Sequence, residues 1–66
     1  MYRNIKAEQA RCGMTNQQVA EYLGITRSGY ENKIRSGKFF ATECMKLCKL
    51  FGVEFDYLFS TGQKSA

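Results

Sequence analysis

A length of 66 residues confines the chain to one small domain, and such a domain buries only roughly 60% of the surface its unfolded form exposes. Ten Lys and Arg against six Asp and Glu give a net charge of +4, which favours a polyanionic partner, and the lack of histidine excludes imidazole chemistry. Apolar runs fall far short of the ~20 residues that cross a bilayer, and the first six residues lack the apolar stretch of a secretory signal. A cytoplasmic protein with no membrane partner is the expectation.

The pattern along the chain is helical almost throughout. Tyr2, Ile5 and Cys12 share one face of a first helix, which Gly13 can end in a left-handed conformation. Thr15 followed by Gln18 forms a capping-box pattern that opens a second helix, with Val19, Ala20 and Leu23 inward and Gly24 at its end. Thr26 can cap a third helix running through Ile34, with Tyr30 and Ile34 on its inner face. Gly29 inside that helix should cost roughly 1 kcal/mol in propensity relative to alanine. Gly37 interrupts the pattern, and residues 38–41 form a connection. A fourth helix carries Cys44, Leu47, Cys48 and Phe51 at helical spacing, widened by Met45 and Leu50, and ends at Gly52. A short fifth helix around 55–59 closes the core with Phe55, Leu58 and Phe59, and 60–66 reads as a flexible tail. No alternation of period 2 persists, so the fold class expected is all-α, with one domain over 1–59.

Cys12, Cys44 and Cys48 are odd in number and lie in helical segments, which speaks against a disulfide scaffold. A structural zinc site normally takes four ligands, and there is no histidine to complete one. The three thiols are read as small core or half-buried hydrophobes, with no metal and no cofactor expected. The Phe and Tyr residues of the last third suit a helical core, or self-association where they stay exposed. Phe39 and Phe40 sit instead in a connection beside basic residues, where a phosphate-flanking or partner contact is expected. Without histidine, a carboxylate pair or a phosphate-cradling glycine loop, no enzyme is expected.

The densest information lies between Thr15 and Ile34. Two helices at a fixed angle need a small residue where they approach, a glycine for the turn and apolar residues on both sides. Ala20, Gly24 and the group Val19, Leu23, Ile25 and Tyr30 supply these. The stretch from Asn16 to Ser28 (NQQVAEYLGITRS), the Ser36-Gly37-Lys38 loop, and Leu47 to Val53 (LCKLFGV) with Tyr57-Leu58 behind it resemble the Cro/repressor-like helix-turn-helix regulators of bacteria and phages, over roughly residues 3 to 59. The resemblance implies a lambda-repressor-like bundle of five helices whose third helix lies in the DNA major groove.

It further implies that Arg27, Ser28 and Asn32 face base edges, Arg27 suiting guanine and Asn32 adenine. Thr15 and Asn16 match phosphate-contacting positions at a helix start, where free N–H groups favour an anion. Lys38 matches another phosphate contact, with Gln17 and Lys33 as further candidates. Glu31 either accepts from cytosine N4 or pairs with Arg27 and Arg35 along its own helix, the second being favoured. Lys33 stands where the family has an apolar residue, so the exit of the third helix is one residue longer. Gln9 and Arg35 occupy the places of a family Arg–Glu bridge, which is therefore missing. The function expected is a sequence-specific regulator, of the small phage or prophage repressor kind, binding a pseudo-palindromic double-stranded DNA as a homodimer, with no small-molecule ligand. The alternative is a protein-interaction module on the same fold (an antitoxin, antirepressor or adaptor) with weak or no DNA binding.

Overall fold

Helices α1 (Arg3–Arg11), α2 (Asn16–Leu23), α3 (Arg27–Ser36), α4 (Ala41–Phe51) and α5 (Phe55–Leu58) follow one another in a computed structural model that describes residues 2–60. Among the described residues there is no strand, and no helix is long and apolar enough to cross a membrane. Of the tail expected over 60–66, only Ser60 is described, its N–H donating to the Tyr57 carbonyl; the rest lies outside the described residues.

Ile5, Val19, Ala20, Leu23, Tyr30, Leu47, Phe51 and Leu58 form the buried core, so every helix contributes to it. Each large apolar side chain among them stabilises by roughly 1.5–3 kcal/mol through leaving water. Phe59, just past α5, gathers a second layer of rings. Its centroid lies 5.2 Å from Tyr2 and 5.8 Å from Phe39 in edge-on packing, and 4.9 Å from Phe55 in a stack.

Several expectations are corrected. Cys12 is exposed, because the inward stripe of α1 is Ile5, Glu8 and Gln9 and Cys12 falls beyond its last turn. Met45 is 65% exposed, since Cys44, Leu47 and Phe51 already complete the inward stripe of α4. Phe55 covers one side of Phe59 but remains 54% exposed rather than entering the core. Helix α3 continues two residues past Ile34, to Ser36, where Gly37 takes φ +76 and donates to the Lys33 carbonyl. An L-residue strongly disfavours that left-handed conformation, so the position of glycine fixes where α3 stops.

Polar contacts fasten α1 to the C-terminal elements. Glu8 accepts from the Tyr57 hydroxyl at 2.8 Å and is paired with Arg11, which also donates to the Phe51 carbonyl at 2.9 Å. The Arg11 guanidinium, and next the Tyr57 hydroxyl, hold the Glu8 carboxyl below its ordinary range. Burial pushes the Cys44 and Cys48 thiols up, which keeps both protonated and unreactive.

Candidate nucleic-acid interface

The hinged pair α2–α3 is built from local signals that the sequence carries openly. Thr15 Oγ1 accepts from Gln18 N–H at 3.1 Å while Gln18 Oε1 accepts from Thr15 N–H at 2.8 Å, completing the capping box. Gly24 turns the chain at φ +78, and Ile25 N–H returns to the Ala20 carbonyl. Thr26 then caps α3 by accepting from Gly29 N–H at 3.0 Å. A Cβ added at Gly29 would stand 3.0 Å from that same Thr26 oxygen, so the small residue leaves the cap undisturbed.

Helix α3 is the most outward of the longer elements. Tyr30 is its single fully buried side chain, whereas Arg27, Ser28 and Asn32 are all exposed. Arg27 Nε lies 3.9 Å from Glu31 Oε2, one turn along the helix. Arg35 does not share in that pair; it donates to Asn32 Oδ1 instead. The expected bracket of Glu31 by two arginines is thus reduced to Arg27 alone.

Beneath this face runs an amide network that is buried at Tyr30 and Gln9 and opens toward solvent at Asn16 and Lys6. Tyr30 donates its hydroxyl to Gln9 Oε1 at 2.6 Å. Gln9 Nε2 donates to the Met14 carbonyl at 3.1 Å and to Asn16 Oδ1 at 2.8 Å. Asn16 Oδ1 also accepts from Lys6 Nζ at 2.7 Å, and Asn16 Nδ2 donates to Glu31 Oε2 at 2.9 Å. These partners fix the orientation of both amides. Gln9 therefore docks α1 on α3 through its side-chain amide. Asn16, expected at a phosphate, is half-buried and has its side chain engaged by Lys6, Gln9 and Glu31; what it keeps for an anion is its backbone N–H, which has no partner within the helix. An open groove of about 400 Å³ lies over the network, lined by Lys6, Asn16, Glu31, Ile34 and Arg35.

The basic exit of α3 divides. Lys33 Nζ stands 3.2 Å from the buried carboxylate of Glu43 and 4.4 Å above the Phe40 ring. Its side chain is only 20% exposed, and the ammonium is occupied by α4. This corrects the picture of Lys33 as a free phosphate contact: the stem packs while the head is neutralised. Phe40, 69% exposed, lies under that ammonium, and Phe39 packs inward on Phe59. Lys38 is exposed and, among the described residues, makes no ion pair. Thr15 and Gln17 are exposed at the start of α2, Gln17 donating to Glu21 at 3.0 Å.

Sequence reasoning passed over Lys6 and the buried role of Gln9. The signal for Gln9 was its place one turn after Ile5, on the inward stripe. Nothing in local pattern marks Lys6. In comparison with known proteins, the chain matches no family model, no curated protein and no solved structure.

Proposed function

We propose that the chain is a sequence-specific double-stranded DNA-binding regulator, with α2 and α3 acting as a helix-turn-helix in a lambda-repressor-like bundle. The observation that carries this reading is the exposure of α3: a helix of ten residues rests on one fully buried side chain and turns Arg27, Ser28 and Asn32 outward. A helix diameter fits the major groove, where those side chain types hydrogen-bond to base edges. The free N–H groups at the start of α2 beside Thr15 and Gln17, together with Lys38, are suited to phosphates that fix register on the duplex. One module covers little DNA, so a homodimer reads two half-sites roughly 34 Å apart.

A second reading, an interaction module for a protein partner, draws on the exposed rings and thioether of Phe40, Met45 and Phe55. Selection of binding sites from random duplex DNA at two salt concentrations separates the two. The DNA reading expects a defined, pseudo-symmetric site bound less tightly as salt rises. No enrichment at either salt concentration sinks it.

A further inference from the structure

We propose that Glu31 is a specificity-determining residue: without touching a base, it restrains Arg27 through the carboxylate oxygen that Asn16 anchors. The inference rests on the DNA-reading function proposed above. Arg27 is an exposed side chain at the start of α3, 63% accessible, and a long guanidinium there reaches phosphates as readily as bases. Phosphate contacts carry no sequence information, so an arginine free to choose them adds affinity for every duplex alike.

Glu31 opposes that choice. Its Oε2 lies 3.9 Å from Arg27 Nε, one turn along the same face, and the same oxygen accepts from Asn16 Nδ2 at 2.9 Å. Asn16 is itself held by Lys6 and Gln9, so the carboxylate is fixed from α1 and α2 rather than drifting with α3. A fixed negative charge on the reading face keeps the guanidinium over the helix and repels the phosphate that would draw it aside. Overall affinity is lowered and discrimination is raised, which is how a repulsive element produces specificity.

The test uses Glu31→Gln, which removes the charge and leaves an amide oxygen for Asn16 Nδ2. The full chain, E31Q, Arg27→Ala and the double variant are each taken through binding-site selection, then titrated against the selected duplex and a shuffled one. Expected are an E31Q that binds the shuffled duplex about two- to fivefold more tightly, and a loss of preference at the same base pair that R27A relaxes. In the R27A background, E31Q should leave base preference unchanged. Asn16→Ala, which unfastens Glu31 but keeps its charge, should weaken preference at that same base pair. An unaltered preference in E31Q or in N16A overturns the inference, and so does a loss of preference by E31Q that persists without Arg27, since Glu31 then reads a base itself. If the unaltered chain selects no site, the function proposed above falls and this inference with it; a selected site with an unchanged E31Q profile removes this inference alone.

Discussion

The Tyr30 hydroxyl on α3 donates to Gln9 Oε1 on α1 at 2.6 Å, fully buried and across 21 residues of sequence. Removing the hydroxyl leaves Gln9 Oε1, itself shielded from water, with only the longer contact from Lys6 Nζ at 3.4 Å. This contact ties the outward helix to the rest of the core.

Tyr30→Phe is therefore expected to lower stability by about 1 kcal/mol near neutral pH, read by urea unfolding. A pH series adds a sharper signature. Burial pushes the Tyr30 phenol from 10.0 up to about 12. The folded state holds this proton more tightly than the unfolded one, so the stability it contributes is intact below 10.0 and is lost as pH climbs toward about 12. The unaltered chain should lose stability more steeply over that interval than the phenylalanine variant. Parallel alkaline limbs in the two proteins would show that this phenol is not buried as described.

Lys33 gives a prediction that separates folding from binding. Its ammonium neutralises Glu43, whose carboxylate is 8% exposed and whose Oε1 accepts from Phe40 N–H at 2.9 Å at the start of α4. Lys33→Met leaves that charge with only the Phe40 N–H, with an expected loss of about 2 kcal/mol. On the proposed DNA-binding function, the affinity of the folded variant for DNA should keep its dependence on salt. Lys38→Ala should do the reverse, leaving the melting temperature unchanged while the slope of log K against log salt shrinks by about one. A Lys33→Met protein with a normal melting temperature and a reduced slope would return Lys33 to the phosphate contacts.

The parts of this fold that sequence makes visible are those whose cause is local. The Thr15–Gln18 box, the Thr26 cap and the turn at Gly24 each depend on neighbours within a few residues, and each forms where its residues stand. The inward stripe of α1 was hidden for the opposite reason. Apolar periodicity follows Ile5 toward Tyr2 and Cys12, whereas the structure buries Glu8 and Gln9 by giving them Tyr57, Tyr30 and Asn16 as partners from distant segments. The same holds for Lys33, polar by type and half-buried only because Glu43 waits on another helix. In the candidate site, the exposure of Arg27, Ser28 and Asn32 follows from helix phase, since Tyr30 must face inward. The engagement of the Asn16 side chain does not follow from phase, because it takes α1 to supply Lys6 and Gln9.

Glu8 contributes to the acid limb. The Arg11 guanidinium and then the Tyr57 hydroxyl lower its pKa from 4.5, so its contribution is complete above that value and is lost as pH falls below it. Glu8→Gln should unfold less steeply between neutral pH and strong acid than the unaltered chain. Tyr57→Phe, which removes only the second of the two causes, should fall between them. Circular dichroism during acid titration reads the series, and an acid limb unchanged in Glu8→Gln would count against this clasp between α1 and α5.

Gly29 tests whether α3 is tuned for its cap. Helix propensity alone credits Gly29→Ala with roughly 1 kcal/mol of stabilisation. The added methyl group, however, would meet Thr26 Oγ1 at 3.0 Å, the same atom that accepts from Gly29 N–H. Thr26 is β-branched and confined at χ1, so it moves aside only by weakening the cap, worth about 1 kcal/mol. The two effects should nearly cancel, leaving Gly29→Ala within about 0.5 kcal/mol of the unaltered chain. Thr26→Ala should destabilise by about 1 kcal/mol. In that background the obstructing oxygen is gone, and Gly29→Ala should then recover most of its propensity gain, roughly 1 kcal/mol. The double-mutant cycle, measured by denaturant unfolding, thus yields a coupling between neighbours that simple additivity forbids. Equal effects of Gly29→Ala with and without Thr26 would mean that the glycine is not there for the cap.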